Sequence, residues 1–496
     1  MNRKRFFTAS ITVLLGIVIT SYFFIVSDKN NVAEQPKTEG VYSSKTSPGL
    51  VGSAILGIPT SNSIVINMLA EKGMAALVDY GTKSGSYDLK TNIAKSEQGE
   101  PVIIKLNQLK SNTKYFYRVN YKQEKDSNYS MGTEHSFFTQ RASGAAFSFG
   151  VQGDSHPERS GKMFNSALYL STMQNVSKAQ PDFYFTMGDD FSIENLIEKN
   201  QVTQEAVDQV YQYQRSYLDI VGTTSPLFLV NGNHEQAAKY LLNGTSNNPA
   251  VLAAKARVNF YPLPVPDSFY GGDSEKVEPV GYLRDYYSFE WGDALFVTID
   301  PYWHSDIAVD NTAGDAKSTE GKKKRDLWGI TLGNLQYQWF KQTLENSKAK
   351  YKFVFTHHVL GTGRGGVENA KLYEWGGYNQ QGAWEFNKMR PGWEMPIHDL
   401  MVKNGVTIFF QGHDHLFARQ ELDGVIYQSV PNPADDTYTA FNQDAYAGDI
   451  FPNSGFLNVT VSPEQVKVDY VRSFLAKDET NQNKNGNVAF SYVVKK

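Results

Sequence analysis

The chain has 496 residues, 41% apolar and 20% charged, the composition of an ordinary globular protein of two or three domains. Its net charge of −4 gives no reason to expect nucleic acid as a bulk electrostatic partner. Cysteine is absent, which excludes disulfides, thiolate metal ligands and lipid-modified cysteine.

Arg3, Lys4 and Arg5 precede residues 6–26, a run of 21 residues without a charge. A spanning helix needs about 20 apolar residues, whereas a secretory apolar region runs about 7–15. Residues 1–27 are therefore read as an uncleaved membrane anchor with its basic end inside and the remainder extracytoplasmic. A cleaved signal peptide, leaving a secreted or periplasmic protein, is the alternative. Residues 28–49 are polar and read as a tether.

From 50 to 141 short apolar-alternating runs are separated by turn residues, among them SIVINMLA, EPVIIKLNQL and KYFYRVNYK. This is the pattern of an all-β sandwich. Residues 145–496 change character, with apolar runs alternating with helical patterns in an α/β layout. Strands are expected at 147–151, 182–187, 227–230, 295–299, 352–355 and 407–410, and helices near 162–178, 205–218, 335–347 and 395–403. The basic run at 322–325 reads as a solvated loop. No feature of the sequence specifies an oligomeric state.

Chemistry gathers where strands end. The first ends in Asp154-Ser155-His156, the second in Gly188-Asp189-Asp190, and the third in Gly232-Asn233-His234-Glu235. Later strands end in His357-His358 and in Gly412-His413-Asp414-His415. Six of the nine histidines lie in these five segments. Open α/β sheets bind ligands beyond the carboxyl ends of their strands, so all five segments are expected at one edge. Asp154 and His156, two apart in extended chain, are expected to share a side, with Ser155 turned away. Imidazole, carboxylate and amide oxygen without thiolate suit Mn, Zn or Fe. Seven such ligands exceed the needs of one ion and suit two divalent ions sharing a carboxylate.

The ordered series D-x-H, G-D, G-N-H-E, H and G-H-x-H resembles the calcineurin-like metallophosphoesterases. With a β-sandwich before it, the layout resembles the purple acid phosphatases, and LKSNTKYFYRV at 109–119 resembles a fibronectin type III run. The resemblance implies an α/β catalytic domain built as a four-layer α/β/β/α sandwich, preceded by a fibronectin type III-like all-β sandwich. It implies that Asp154, His156 and His415 bind one metal ion, that Asn233, His357 and His413 bind another, and that Asp189 bridges them. It implies catalysis by His234, which would contact the phosphoryl group or protonate the leaving oxygen. The activity implied is hydrolysis of phosphate esters by a metal-bridging hydroxide. Phosphomonoesters lead, and a phosphodiesterase acting on nucleotides, glycerophosphodiesters or envelope polymers is the alternative. One departure stands out: purple acid phosphatases carry G-D-x-x-Y, and Ser192 occupies the place of that metal-binding tyrosine, so a ferric tyrosinate is not expected.

Arg159 and Arg364 are candidate phosphate-binding residues, since a guanidinium fork suits phosphate, and His358 is a further substrate candidate. Two aromatic, Gly-bearing insertions, DPYWHS at 300–305 and LYEWGGYNQQGAWEF at 372–386, are candidate pocket walls or packing elements. His398 falls in a helical pattern and reads as structural. A reading from another class is a non-catalytic surface binding protein that keeps the fold as scaffold. Such a retired site should have lost ligands, and here every position is filled.

Overall fold

A computed structural model describes residues 50–51, 53–235, 245–305, 327–361 and 364–496. The anchor, the tether and the basic run at 322–325 lie outside the described residues. Among the described residues, no helix is long and apolar enough to cross a membrane.

The N-terminal part is a sandwich of two antiparallel sheets. One holds Ile55–Gly57, Ile64–Met68 and Val102–Leu106, and the other is built on Met74–Gly81 paired with Lys114–Gln123. In Val102–Leu106 and Lys114–Gln123, burial alternates residue by residue, as a half-buried strand requires. The Tyr115 hydroxyl accepts the Lys110 N–H at 2.9 Å, and Tyr117 is fully buried.

Two further sheets face each other. The first runs Leu227–Leu229, Phe183–Thr186, Phe147–Gln152, Gly455–Val461, Val466–Arg472, Val488–Val494. The second has eight strands, with Ala294–Thr298, Tyr351–Phe355, Ile408–Gln411 and Val425–Ser429 parallel at its centre. The layering can be read from individual strands. In Phe183–Thr186, Phe183 and Phe185 enter the core between the sheets, while Tyr184 packs under the outer helices. In Tyr351–Phe355, Phe353 and Phe355 enter the same inter-sheet core, while Val354 faces the opposite helical layer. Strands apolar on both faces must be covered on both faces. The inter-sheet core is a phenylalanine stack, with Phe185 on Phe355 at 4.1 Å and Phe183 edge-on to Phe296 at 5.1 Å.

Ser166–Ala179, Gln204–Gly222 and Pro249–Phe260 cover the first sheet, and Gly333–Asn346 and Ile397–Lys403 the second. The result is an α/β/β/α sandwich, as expected. Pro249–Phe260 was not expected from the sequence.

Arg215 of the Gln204–Gly222 helix ties the sandwich to this body. It is fully buried and donates to Asn67 Oδ1 (2.9 Å), Asn67 O (3.2 Å) and Phe260 O (2.6 Å). Tyr117 adds a hydrogen bond from its hydroxyl to Thr223 O at 2.7 Å.

Candidate metal centre

The parallel strands of both sheets end at one edge, and all five sequence segments meet there. Asp154, His156, Asp189, Asn233, His234, His357, His413 and His415 are all buried. The expected reason for the Asp154–His156 alignment does not hold. The strand stops at Gln152, and His156 has φ 49°, so these residues are not extended chain. Ser155 is nonetheless turned away and donates to Asp190 Oδ1 at 2.5 Å; Gln152 Nε2 donates to the same oxygen at 2.9 Å. Asp190 is thus held by residues away from the centre.

Convergence comes instead from sharp backbone turns. Asp189 (φ 58°), His413 (φ 69°) and His415 (φ 62°) share the left-handed conformation with His156. L-residues adopt it at a cost and keep it where the surroundings over-determine it, characteristically at functional sites. Two glycines permit the close approach. A Cβ on Gly232 would lie 2.1 Å from Asp189 Oδ1, and one on Gly412 would lie 2.4 Å from Asp154 Oδ1.

Asp154, His156 and His415 form one potential metal cluster, and Asp189, His357 and His413 another. A third group joins His156, Asp189 and His234. Asp189 Oδ2 stands between the first two, 3.6 Å from His156 Nε2 and 3.1 Å from His357 Nε2. His357 Nδ1 is 2.8 Å from the Met187 carbonyl and can only donate to it, which leaves Nε2 free to act as a ligand. Asn233 Oδ1 lies 3.1 Å from both His357 Nε2 and His413 Nδ1. Asp154 Oδ1 accepts the His413 N–H at 2.8 Å, while its buried Oδ2 has no hydrogen-bond partner and lies 3.1 Å from His415 Nε2.

A buried carboxylate oxygen left so is costly unless a cation satisfies it. Lone-pair donors converging from imidazole, amide and carboxylate therefore fit metal ions. Burial disfavours a charged His357, but Asp189 and Asp154 outweigh it and lift the ring to about 10. Without an ion, a proton supplies the positive charge this cluster calls for.

Four acids brace the centre, Glu235 and Asp414 buried and Glu158 and Glu194 partly so, and none was singled out for that role in the sequence. Glu158 Oε1 lies 2.8 Å from His156 Nδ1, and Glu194 Oε2 lies 2.8 Å from His234 Nδ1. Glu235 accepts four backbone N–H groups, from Asp189, Asp190, Phe191 and Gly232, at 2.7–3.0 Å. Asp414 accepts from Arg364 Nη1 at 2.7 Å and from the Gly365 N–H at 3.0 Å. Glu235 and Asp414 sit inside the quoted motifs, so their place was visible even where their work was not.

The substrate candidates separate. Arg159 reaches the centre, with Nη2 3.2 Å from His234 Nε2. Burial works against a charged His234, but Asp189 and Glu194 outweigh it and raise its affinity for a proton. Arg364 is anchored on Asp414 and also donates to His413 O at 3.2 Å, with its side chain 41% exposed. His358 is fully buried, packs on the His413 ring at 4.7 Å and turns toward Asp414 and the Val359 carbonyl. Ser192 is buried beside Phe191, whose ring stacks on Tyr211 at 4.4 Å.

The insertion at 372–386 puts Trp375 and Phe386 into the helical core and exposes Tyr378 and Trp384 on a groove that none of the candidate ligands lines. His398 is held by Tyr427 and Asp423.

Fold and donor set together define a metal-dependent phosphoric ester hydrolase. Residues 147–417 match the calcineurin-like phosphoesterases, and the chain belongs to that family. Among solved structures, that of PhoD is similar over 90% of this chain and 90% of its own, with 15% identity and a TM-score of 0.62. Purple acid phosphatase PPD1 from yellow lupin (Lupinus luteus) seeds matches 89% of this chain and 74% of its own, with 15% identity and a TM-score of 0.53. A search of curated proteins finds no match.

Proposed function

We propose that this chain is a two-metal phosphomonoesterase, held outside the cytoplasmic membrane by residues 1–27. The observation that carries the two-metal reading is Asp189 Oδ2, which faces His156 Nε2 at 3.6 Å and His357 Nε2 at 3.1 Å, one from each cluster. Asp154, His156 and His415 would hold one ion, Asn233, His357 and His413 the other, and Asp189 both. When bound, such ions supply Lewis acidity and lower the pKa of water toward about 7.

The chain's own residues do the rest. Arg159 offers a guanidinium to phosphoryl oxygens next to His234. Glu194 at Nδ1 holds the His234 ring in place and favours its charged form; Nε2, which faces the Arg159 guanidinium in this structure, would carry the proton for the leaving oxygen once Arg159 turns to the phosphoryl group. The Arg159 guanidinium beside His234 adds a positive charge next to the metal ligands, which suits the dianion of a monoester better than the monoanion of a diester. The three basic residues before the uncharged run at 6–26 support the membrane placement.

The test uses the full chain, stripped of metal and reloaded with Mn, Zn or Fe(II). Para-nitrophenyl phosphate is compared with bis-para-nitrophenyl phosphate, with Asp189→Ala as control. Metal-dependent turnover of the monoester, lost in the control, is the expected result. Preference for the diester would select the phosphodiesterase reading, and no turnover with any metal would sink both. Cleavage of the catalytic part by protease added to intact cells or spheroplasts checks its placement.

A further inference from the structure

A sixth strand end reaches the metal centre. Ala294–Thr298 runs parallel to Tyr351–Phe355 with Thr298 opposite Phe355, and the Ile299 N–H donates to Phe355 O at 2.9 Å. The residues after Thr298 therefore emerge beside those that lead to His357. Tyr302 lies there, 4% exposed, with its ring centroid 6.4 Å from that of His357. Its backbone is fixed. The Tyr302 N–H donates to Asp300 Oδ1 (2.7 Å), the Asp300 N–H donates to Gln336 Oε1 (2.7 Å), and Asn231 Nδ2 donates to Asp300 Oδ2 (3.0 Å).

The phenol oxygen of Tyr302 is buried and has no hydrogen-bond partner. Native proteins rarely leave such a group, and where they do it calls for a ligand, an ion or a catalytic role. Burial, then the charges of Asp189, Asp300, Glu235 and Asp154, hold this phenol well above its usual range. Its neighbours point elsewhere: Trp303 packs with Val251 and Leu283, and His304 faces Glu275 at 3.9 Å.

We propose that Tyr302 contacts substrate, its hydroxyl donating a hydrogen bond to a phosphoryl oxygen bound at the metal centre. The inference rests on the phosphoesterase reading above and deepens it. A fixed neutral donor in a dry site stabilises charge growing on phosphoryl oxygens without adding a cation that would compete with metal. It also gives the unpaired phenol a partner only when substrate is present.

The experiment compares wild type and Tyr302→Phe as full chains. It records metal-free melting temperature, bound metal per chain, affinity of the metal-loaded protein for inorganic phosphate by calorimetry, and kcat and KM on para-nitrophenyl phosphate. The expected result is an unchanged or higher melting temperature, unchanged metal content, phosphate affinity about tenfold weaker and kcat lower by about 10–100-fold. Equal phosphate affinity in the two proteins overturns the proposal, and so does a lower metal-free melting temperature, which would give the hydroxyl a structural bond. Wild type that binds no phosphate when loaded overturns it as well. If wild type binds phosphate but hydrolyses neither ester, the phosphoesterase reading fails while the phosphate comparison still decides Tyr302. If wild type hydrolyses the ester and Tyr302→Phe matches it in every measure, Tyr302 alone fails.

Discussion

Glu235→Gln removes one charge and changes no volume, yet it should dismantle the centre. Glu235 Oε1 accepts from Asp190 (2.7 Å) and Phe191 (3.0 Å), and Oε2 accepts from Gly232 (2.7 Å) and Asp189 (3.0 Å). Glutamine keeps one oxygen and turns an NH2 toward two N–H donors, so two charge-assisted bonds are lost. At about 1.5–3 kcal/mol each, the loss is about 3–6 kcal/mol before any donor–donor repulsion is counted. The pairs that suffer join the Gly188-Asp189 turn to the Gly232-Asn233 turn, so Asp189 and Asn233 lose their mutual placement.

The assay is thermal melting of the metal-free full chain, with metal content after dialysis. A fall of at least about 5 °C and metal binding weaker by tenfold or more are expected. Glu235→Asp, which restores the charge at a shorter reach, should recover part of both. A Glu235→Gln protein that melts within about 1 °C of wild type and keeps two ions per chain would refute the reasoning.

Gly412→Ala should keep the far-UV circular dichroism of wild type but lose metal and most activity, because its Cβ would sit 2.4 Å from Asp154 Oδ1. Metal removal with a chelator should lower the melting temperature. Refilling to 100 times Kd should return about 2.7 kcal/mol per site, and a melting temperature indifferent to metal would contradict the site. Burial pushes the carboxyl of Asp219 up to about 6 from its ordinary 3.8. A raised carboxyl pKa means the folded chain binds the proton more tightly than the unfolded one, so stability falls as pH rises from about 4 to 6 and stays lower above. The cost above pH 6 is about 3 kcal/mol. Asp219→Asn should therefore gain melting temperature over wild type at pH 8 and little or none at pH 4, and a gain equal at both pH values would count against this account.

The catalytic fold was legible because its strands are short apolar runs ending in Gly, Asp, His or Asn. The expected strand at 182–187 and the observed Phe183–Thr186 differ only at the ends. Pro249–Phe260 was missed for a physical reason. Eight of its twelve residues are buried and none is exposed, so PAVLAAKARVNF carries no polar face and no helical period, and only Asn248 capping the Ala250 N–H marked its start. The sequence brought the right side chains to one edge, but it did not show how His156 arrives there, since a left-handed residue leaves no periodic trace. Glu194 was out of reach because its neighbour His234 lies far away in sequence, and Tyr302 was visible only as part of the candidate pocket wall at 300–305, with nothing to place it beside His357.

Arg215 has a consequence for how the two parts can be separated. Its guanidinium is solvated by backbone and amide oxygens of Asn67 on one side and by the Phe260 carbonyl on the other. A catalytic half cut free of the sandwich would keep a buried cation with three of its four acceptors gone, Val51 O and both oxygens of Asn67, in a helix that also loses the Tyr117 bond at Thr223. The sandwich is therefore not cargo that can be exchanged at will. Shuffling it onto another catalytic body would require the recipient to bring its own counterpart of Arg215, so the two parts are expected to be inherited, and to melt, together.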